Sequence, residues 1–297
     1  MKIGLIGLGK MGINLSLNAI EKNHQIVAYD IKKVQIDSIV RKGLTPAYSL
    51  VDLINKLPQK KIIWIMITAG DPVEQVLSKI FLMLNENAVV VDGGNSFYKD
   101  SVRRAKKLAE RGITLLDIGV SGGISGARNG ASMMVGGDKK TYNTIEPFLK
   151  SVCVTNGYGY VGPSGAGHYA KMIHNAIEYG MMQAIAEGYE ILKESHFNFD
   201  LSEISKVFKN GSVIRSWLLE LLFEQLQEDP FLEKYSGKVG HSGECQWAIE
   251  EAKEMGIDIQ AIKASLDMRL GSQNNPTFGS KTLSAMRHAF GGHKEKN

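Results

Sequence analysis

The first thirty residues contain the pattern that most restricts the fold of this chain. A short apolar run, Lys2 to Ile6, leads into Gly7-Leu8-Gly9-Lys10-Met11-Gly12, and an amphipathic segment follows. This order predicts a strand, a glycine turn and a helix. The first glycine permits the tight turn, the second lets the backbone approach a pyrophosphate, and the third lets the helix pack closely on the strand. The N-terminus of the helix would then face the phosphates.

An acidic residue stands where a dinucleotide-binding unit needs one. The second apolar run, Gln25 to Tyr29, ends at Asp30, 18 residues after Gly12. A carboxylate there accepts hydrogen bonds from ribose hydroxyls and repels a 2′-phosphate, which favours NAD. Lys32 and Lys33 follow, and either could approach a phosphate, so NADP stays open as the cofactor. The predicted cofactor-binding residues in this region are Gly7, Leu8, Gly9, Lys10, Met11, Gly12 and Asp30.

Apolar runs alternate with helical patterns as far as about residue 164. This alternation is typical of a doubly wound parallel sheet flanked by helices. After the turn at 162–165, strand patterns end and the remaining segments are helical, beginning with one long helix from His168 to about Lys193. The sequence therefore predicts a Rossmann-type α/β domain over residues 1–164 and an all-α domain over residues 165–297.

Composition is typical of a two-domain enzyme of the cytoplasm. The chain has 297 residues, 43% of them apolar, which is enough for two cores. Its two cysteines, Cys153 and Cys245, lack metal-ligand spacing, which predicts a reducing compartment and no metal site. No secretory signal or membrane span is recognisable. The net charge of +4 is modest, and the basic residues are dispersed except near the C-terminus, so nucleic-acid binding is not indicated.

A stripe of polar residues is predicted on the long helix. Asn175 and Glu178 fall within roughly 40° of Lys171 on a helical wheel, and His174 falls within roughly 60°. A lysine and a carboxylate in partly desolvated surroundings can serve as base and acid near neutral pH. A solvated helix face with an ordinary Lys and Glu is the other interpretation, and the stripe alone does not separate the two.

Three further segments are candidates for ligand binding. Asp92-Gly93-Gly94-Asn95-Ser96 follows a predicted strand, at the carboxyl edge where open α/β sheets bind ligands. Ser121-Gly122-Gly123, in a small-residue run predicted to form a loop over 119–130, offers N–H and hydroxyl donors. The third is Arg-His-Ala-Phe-Gly-Gly-His at 287–293. Ordinary turn chemistry accounts equally well for the first two, and a solvated basic end accounts for the third.

Together these motifs resemble those of the 6-phosphogluconate dehydrogenases in their short, bacterial-type form, within the β-hydroxyacid dehydrogenase superfamily. The resemblance runs from Met1 to His293. The glycine turn and the Lys171/Asn175 pair belong to the wider superfamily, whereas Ile177-Glu178-Tyr179-Gly180 and the Phe-Gly-Gly-His ending are narrower signals. The resemblance implies an NAD-dependent oxidoreductase, with NADP as the alternative, that converts 6-phosphogluconate to ribulose 5-phosphate and CO2.

The resemblance also implies roles for individual residues. Lys171 matches the base that deprotonates the C3 hydroxyl, and Asn175 would help to stabilise the enolate oxygen. Glu178 matches the acid that protonates C1 of the enediol left after CO2 has departed. No metal is implied. Asn95 is expected to contact both cofactor and substrate. The implied substrate-binding residues are Asn95, Ser121, Gly122, Gly123, His174, Asn175, Tyr179, Arg269, Arg287 and His293.

The same resemblance implies a homo-oligomer. Arg287 and His293 match tail residues that, in the family, reach the phosphate in the neighbouring subunit, so the tail would complete that active site. Long family members carry a phosphate-binding lysine in the segment before a tryptophan. Alignment on Trp247 places Gly243 there, which implies weaker or differently built phosphate binding. The long forms also have a second block of helices that this chain lacks, and NADP-specific forms carry an arginine after the second strand, where Ile31 and Lys32 follow Asp30. These last two differences fit a short, NAD-preferring form.

Two other functions remain open from the sequence. A related dehydrogenase acting on an unphosphorylated 3-hydroxy acid or a semialdehyde would keep the glycine turn and Lys171/Asn175, but would not need Tyr179 or the Arg287/His293 ending. A non-catalytic NAD-binding sensor would not need Lys171 and Glu178 together.

Overall fold

The computed structural model describes residues 1–293 and residue 295, and in it the chain forms two compact units. The first runs from Met1 to Met172, and the second begins at Ile173. The first unit is an eight-stranded sheet with helices on its faces, and the described part of the second is helical. This confirms the predicted fold class, a Rossmann-type α/β domain followed by an all-α domain.

The sheet has the strand order β3-β2-β1-β4-β5-β6-β7-β8, with every neighbouring pair parallel except β6 and β7. The central strands β1, β4 and β5 are almost entirely apolar, apart from Lys2 at the start of β1 and Asp92 at the end of β5, because helices cover both faces of the sheet. The strands are β1 Lys2–Ile6, β2 Gln25–Tyr29, β3 Thr45–Pro46, β4 Ile62–Ile65, β5 Val89–Asp92, β6 Thr114–Ser121, β7 Ala131–Gly136 and β8 Cys153–Gly162.

Seven α-helices and a short 3-10 helix, Val40–Lys42, connect these strands in the described chain. Side-chain caps begin two of the helices: Ser49 accepts from the N–H of Asp52, and Asp138 accepts from the N–H of Thr141. The α-helices are α1 Lys10–Glu21, α2 Lys33–Ile39, α3 Leu50–Asn55, α4 Asp71–Phe81, α5 Tyr98–Ala109, α6 Gly123–Asn129 and α7 Lys139–Val152.

Two apolar cores cover the two faces of the sheet. On one face, α1 and α7 contribute Leu15, Phe148 and Leu149. On the other, α3 and α4 contribute Leu53 and Leu77, together with residues of α5. The strands between these two cores are therefore buried on both sides. Burial fixes the register of each strand against its neighbours, and with it the positions of the loops at the carboxyl edge of the sheet.

One predicted loop is wrong. Residues 119–130 were expected to form a small-residue loop, but Thr114–Ser121 is strand and Gly123–Asn129 is helix α6. Tertiary contacts override the low helix propensity of glycine, since Ala127 is fully buried and its carbonyl accepts from the side chain of Asn18. The short connection also explains why β6 and β7 are antiparallel, because a parallel return needs a longer crossover.

The long helix α8, Ala166–Glu194, begins in the first unit and continues into the second. The predicted boundary at residues 164 and 165 stays a prediction. A separate core in the second unit joins α8 to α10 and α13 through residues such as Met182, Leu222 and Met286. The remaining helices are α9 Leu201–Lys209, α10 Trp217–Glu228, α11 Glu244–Glu254, α12 Gln260–Gly271 and α13 Phe278–Gly291.

Candidate active site

The glycine turn has the geometry that a pyrophosphate requires. Gly7 has a φ of +103°, and a β-carbon there would overlap the carbonyl oxygen of Met66. A β-carbon at Gly12 would overlap the carbonyl oxygen of Gly7, so α1 can pack on β1 only without a side chain at 12. At Gly9, by contrast, no atom lies within 4 Å of a β-carbon position, so the backbone is open to a ligand.

The N-terminus of α1 is a ready anion site. Its N-cap, Gly9, provides no side-chain hydrogen bond, and the first turn of the helix contains no acidic residue. The first N–H groups of a helix lack partners within the helix, and the helix dipole places a partial positive charge at this end. The residues present therefore fit the diphosphate of a dinucleotide.

Asp30 is held at the end of β2 by backbone donors. Its Oδ2 accepts from the N–H of Leu8 at 2.7 Å, and its Oδ1 accepts from the N–H of Lys32 at 2.8 Å. Carboxylate oxygens have further lone pairs, which leaves acceptor capacity for ribose hydroxyls. Beside it lies an open cavity of about 610 Å³, whose other walls are Tyr29, Ile31, Lys33, Ile36, Asp37 and Tyr48. Aromatic and aliphatic walls next to an acid suit an adenosine.

The loop after β5 presents Asn95. This residue is exposed, whereas its neighbours Gly94 and Ser96 are buried. The N–H of Gly94 donates to Oδ1 of Asp92 at 3.2 Å, and the Ser96 hydroxyl donates to Oδ2 at 2.7 Å. A β-carbon at Gly93 would overlap Nε1 of Trp64. The loop thus has one tightly packed conformation, with a single amide side chain at its tip.

The second predicted segment lies at the same edge of the sheet. β5 and β6 are parallel neighbours, so the loop after Asp92 and the end of β6 at Ser121 share the carboxyl edge. Gly122 and Gly123 have φ of +108° and +58°, which turns the chain directly into α6. The structure therefore brings the predicted residues of both loops to one edge of the first unit.

Asp117, a residue for which the sequence predicted only a place in a strand, anchors the start of α8. It is fully buried, its Oδ1 accepts from the N–H of Gly165 at 2.7 Å, and its Oδ2 accepts from the N–H of His168 at 2.9 Å. The imidazole of His168 is also buried, with Nδ1 2.7 Å from the hydroxyl of Ser101. These contacts join residues 48 to 67 positions apart, so no local pattern reveals them.

Lys171 lies one turn after His168 and is 8% exposed. It sits over β6 at Gly119, where a β-carbon would overlap the β-carbon of Lys171 itself. The predicted base is therefore a nearly buried lysine on an anchored helix, which removes the interpretation of an ordinary solvated face for this residue.

In the second unit, α8 continues the predicted stripe. Nδ1 of His174 lies 3.1 Å from Oδ1 of Asn175 and 3.9 Å from Oε2 of Glu178. Asn175 is 8% exposed, while the side chains of His174 and Glu178 are more accessible, at 39% and 24%. The structure thus brings together an imidazole, an amide and a carboxylate of the predicted site.

Tyr179, Arg269 and Arg287, which we call the arginine cluster, lie in the second unit. The Arg269 guanidinium is stacked 3.3 Å from the ring centroid of Tyr179, and its Nη2 donates to Sδ of Met182 at 3.6 Å. Arg269 is 1% exposed, and its Nε has no hydrogen-bond partner among the described residues. The N–H of Ser242 donates to the Tyr179 hydroxyl at 3.4 Å.

Burial dominates the electrostatics of both arginines in this cluster. Burial and the positive charge of Arg287 together lower the pKa of Arg269 to about 10, against the opposing influence of Tyr179 and Glu178. Burial likewise lowers the pKa of Arg287, although Tyr179 and the carboxylates of Glu178, Glu295 and Glu244 oppose it. Two guanidinium groups that remain charged at neutral pH are thus partly removed from water, and an anion with several oxygens would satisfy them.

Gly243 and the C-terminal residues Arg287 and His293 were the remaining positions predicted to affect phosphate binding. Gly243 has a φ of +102° as the N-cap of α11, a backbone conformation that a lysine rarely adopts. His293 is exposed, with its ring 5.7 Å from that of Phe290. Arg287 lies beside Gly240 of its own chain, and the predicted reach of the tail into a neighbouring subunit stays a prediction.

Over residues 1–293 and 295, no group of three or more His, Cys, Asp or Glu side chains is placed to hold a metal ion. No helix among the same residues is both long and apolar enough to cross a membrane.

The fold and the glycine turn define a dinucleotide-binding oxidoreductase. Residues 2–162 match the family profile described as the NAD binding domain of 6-phosphogluconate dehydrogenase, and residues 167–288 match its C-terminal domain. The chain belongs to the 6-phosphogluconate dehydrogenase family, and its first unit is an NAD-binding domain.

Three relatives illustrate this membership. A Bacillus subtilis protein named as a candidate 6-phosphogluconate dehydrogenase, YqeC, is 43% identical over 99% of this chain and 98% of its own. A Haloferax volcanii protein named 6-phosphogluconate dehydrogenase, NAD(+)-dependent, decarboxylating, is 38% identical over 99% and 98%. The solved structure of Plasmodium falciparum 6-phosphogluconate dehydrogenase, described with NADP+ and with 6-phosphogluconate, has 33% identity and a TM-score of 0.85. It covers 92% of this chain, which spans 62% of that longer protein.

Proposed function

We propose that this protein catalyses the oxidative decarboxylation of 6-phosphogluconate to ribulose 5-phosphate and CO2, with NAD as the preferred oxidant. The observation that carries the proposal is the arginine cluster, where Arg269 is buried on Tyr179 with an unpartnered Nε. A dehydrogenase for an unphosphorylated acid has no need of one buried and one half-buried guanidinium group in its second unit. A relative of the same length bears an NAD(+)-dependent, decarboxylating name, which supports a short, NAD-preferring form.

We assign the proton transfers to α8. Lys171, nearly buried over Gly119, takes the proton of the C3 hydroxyl as hydride leaves C3. The bound dinucleotide supplies the hydride acceptor. The resulting 3-keto acid loses its carboxylate, and the protonated Lys171 stabilises the enolate oxygen with Asn175. Glu178 then protonates the enediol carbon that carried the carboxylate, which becomes C1 of ribulose 5-phosphate. Nδ1 of His174 lies 3.9 Å from this carboxylate.

We assign substrate binding to two groups of residues, one for the phosphate and one for the sugar acid. The arginine cluster holds the phosphate, with His293 as a further candidate ligand. Asn95, Ser121, Gly122 and Gly123, all at the carboxyl edge of the sheet, hold the sugar acid, and Asn95 also contacts the dinucleotide. We further propose a homo-oligomer whose tail takes part in binding at a neighbouring subunit. The hybrid experiment described below tests that part separately.

The decisive assay compares substrates with the purified chain. 6-Phosphogluconate, gluconate and 3-hydroxyisobutyrate are each supplied with NAD and with NADP, while reduced dinucleotide and CO2 are measured. We expect turnover and CO2 only with the phosphorylated acid, and a higher kcat/KM with NAD. Equal turnover of gluconate would remove the phosphate assignment. Binding of NAD without turnover of any substrate would instead identify a sensor.

A further inference from the structure

Helix α5 carries a buried arginine that joins two loops of the first unit. The side chain of Arg104 is 1% exposed, and its Nη1 donates to Oδ2 of Asp92 at 3.0 Å and to the hydroxyl of Ser96 at 3.1 Å. Its Nη2 donates to the carbonyl of Gly70 at 3.4 Å. Its Nε donates to Oε1 of Glu74 at 2.8 Å. One side chain therefore has acceptors in two loops and in a neighbouring helix.

The two loops are the ones that a ligand at the sheet edge would meet. Gly70 lies after β4, and Asp92 to Ser96 lie after β5, its parallel neighbour. Both loops therefore leave the sheet at the carboxyl edge. The guanidinium is rigid and planar, so donors on its different nitrogens fix the distance between the acceptors more tightly than a flexible ammonium would.

We propose that Arg104 is a positioning residue that fixes the loop holding Asn95. Beneath the loop, hydrogen bonds connect Asp92, Ser96 and Arg104 to one another. Asn95 is the exposed residue of the same loop. Without the guanidinium, the buried carboxylate of Asp92 would lose its cation, and the loop would sample other conformations. The role in turnover rests on the proposed function, in which Asn95 contacts the dinucleotide and the sugar acid.

The matched variants are Arg104→Met and Arg103→Met. Arg103 is next to Arg104 on α5 and shares Glu74 and Asp100 as partners, but its side chain is 56% exposed, against 1% for Arg104. We expect Arg104→Met to lower kcat for 6-phosphogluconate by about 10²-fold, as a displaced positioning group does, with less change in KM. Arg103→Met should stay within about twofold of the wild type, as expected for an exposed pair. Arg104→Lys should recover part of the kcat.

Hydrogen exchange gives a readout that does not depend on turnover. In the wild type, NADH should slow amide exchange over residues 93–97, and in Arg104→Met exchange there should be fast with and without NADH. Should Arg104→Met fail to fold, Ser96→Ala removes a hydroxyl from the same set and should raise exchange in the same segment. Wild-type exchange and kcat in a folded Arg104→Met protein would overturn the proposal. An inactive wild type with the expected exchange pattern would refute only the proposed substrate.

Discussion

The two units each bury one arginine almost completely, but the surroundings of the two side chains are opposite. Arg104 in the first unit donates to a carboxylate, a hydroxyl and a carbonyl, and also to Glu74. Arg269 in the second unit faces an aromatic ring and a sulfur atom, with an unpartnered Nε. A buried cation is costly unless it is paired. The first arginine therefore finds its acceptors within the folded chain, whereas the second is suited to a ligand that supplies the missing acceptors.

The largest effect should come from a residue other than the two buried arginines. Lys171→Met should lower kcat by about 10³-fold, because it removes the proposed general base. The NAD dissociation constant, measured by NADH fluorescence, should not change. Lys193→Met, on an exposed turn of the same helix, is the control and should retain full kcat. Retained oxidation in Lys171→Met would exclude Lys171 as the base.

Arg269→Met should separate the two arginines directly. We expect kcat/KM for 6-phosphogluconate to fall by about 10²-fold, since hydrogen bonds to a charged group are lost. In phosphate-free buffer, the melting temperature should stay unchanged or rise, because a buried, unpaired charge is replaced by an apolar side chain. Arg104→Met should lower it. Equal losses of melting temperature in both variants would contradict the comparison.

Arg287→Ala should have a smaller effect, mainly on KM. We expect a rise in KM of about tenfold, since one of two cationic groups remains.

Mixing Arg287→Ala with Lys171→Met subunits tests which chain supplies the guanidinium. Because the proposed tail acts at the neighbouring subunit, we expect the mixture to have a lower KM than Arg287→Ala alone. An unchanged KM would show that Arg287 acts within its own chain, where it lies beside Gly240.

Asp30→Ala addresses the cofactor rather than the substrate. The carboxylate should accept from a 2′-hydroxyl and repel a 2′-phosphate. The variant should lose about tenfold in kcat/KM with NAD and gain with NADP, since Lys33 lines the same cavity and would lose its acidic neighbour. The ratio of the two kcat/KM values is the measurement. An unchanged ratio would remove Asp30 as the determinant of NAD preference.

The smallest effect should be that of thiol modification. Burial raises the pKa of Cys153 to about 12 and that of Cys245 to about 11. Because a raised pKa keeps a thiol protonated below that pH, neither should form a thiolate at pH 7 to 8. Iodoacetamide should therefore leave kcat unchanged over an hour, and mass spectrometry should find both cysteines unmodified. Rapid alkylation coupled to inactivation would show a reactive thiol in one unit.

Local patterns predicted the parts of the fold that depend on neighbours in the sequence. The strand, glycine turn and helix from Lys2 to Glu21 follow from glycine spacing and apolar periodicity, and the long helix α8 from the absence of proline. Helix α6 was missed because its glycines disfavour a helix, and the tertiary contacts that offset this preference, the burial of Ala127 and its hydrogen bond from Asn18, are not visible in the local sequence.

The candidate site divides in the same way. Asp30 and Asn95 follow predicted strands, so their positions at the sheet edge could be predicted. The contacts of Arg104 with Asp92, and of Asp117 with Gly165, join separate elements, and in the sequence Arg104 is an ordinary basic residue of an amphipathic helix. The stacking of Arg269 on Tyr179 spans 90 positions, and only the resemblance to a family indicated that both residues bind one ligand.

The contact between Gly119 and Lys171 has a consequence for variation of this protein. The β- and γ-carbons of Lys171 can lie so close to β6 only because position 119 has no side chain. In a library of single substitutions selected for activity, position 119 should tolerate almost nothing, although a glycine offers no functional group to any ligand. Its intolerance would therefore come entirely from the space that another residue's carbon atoms occupy.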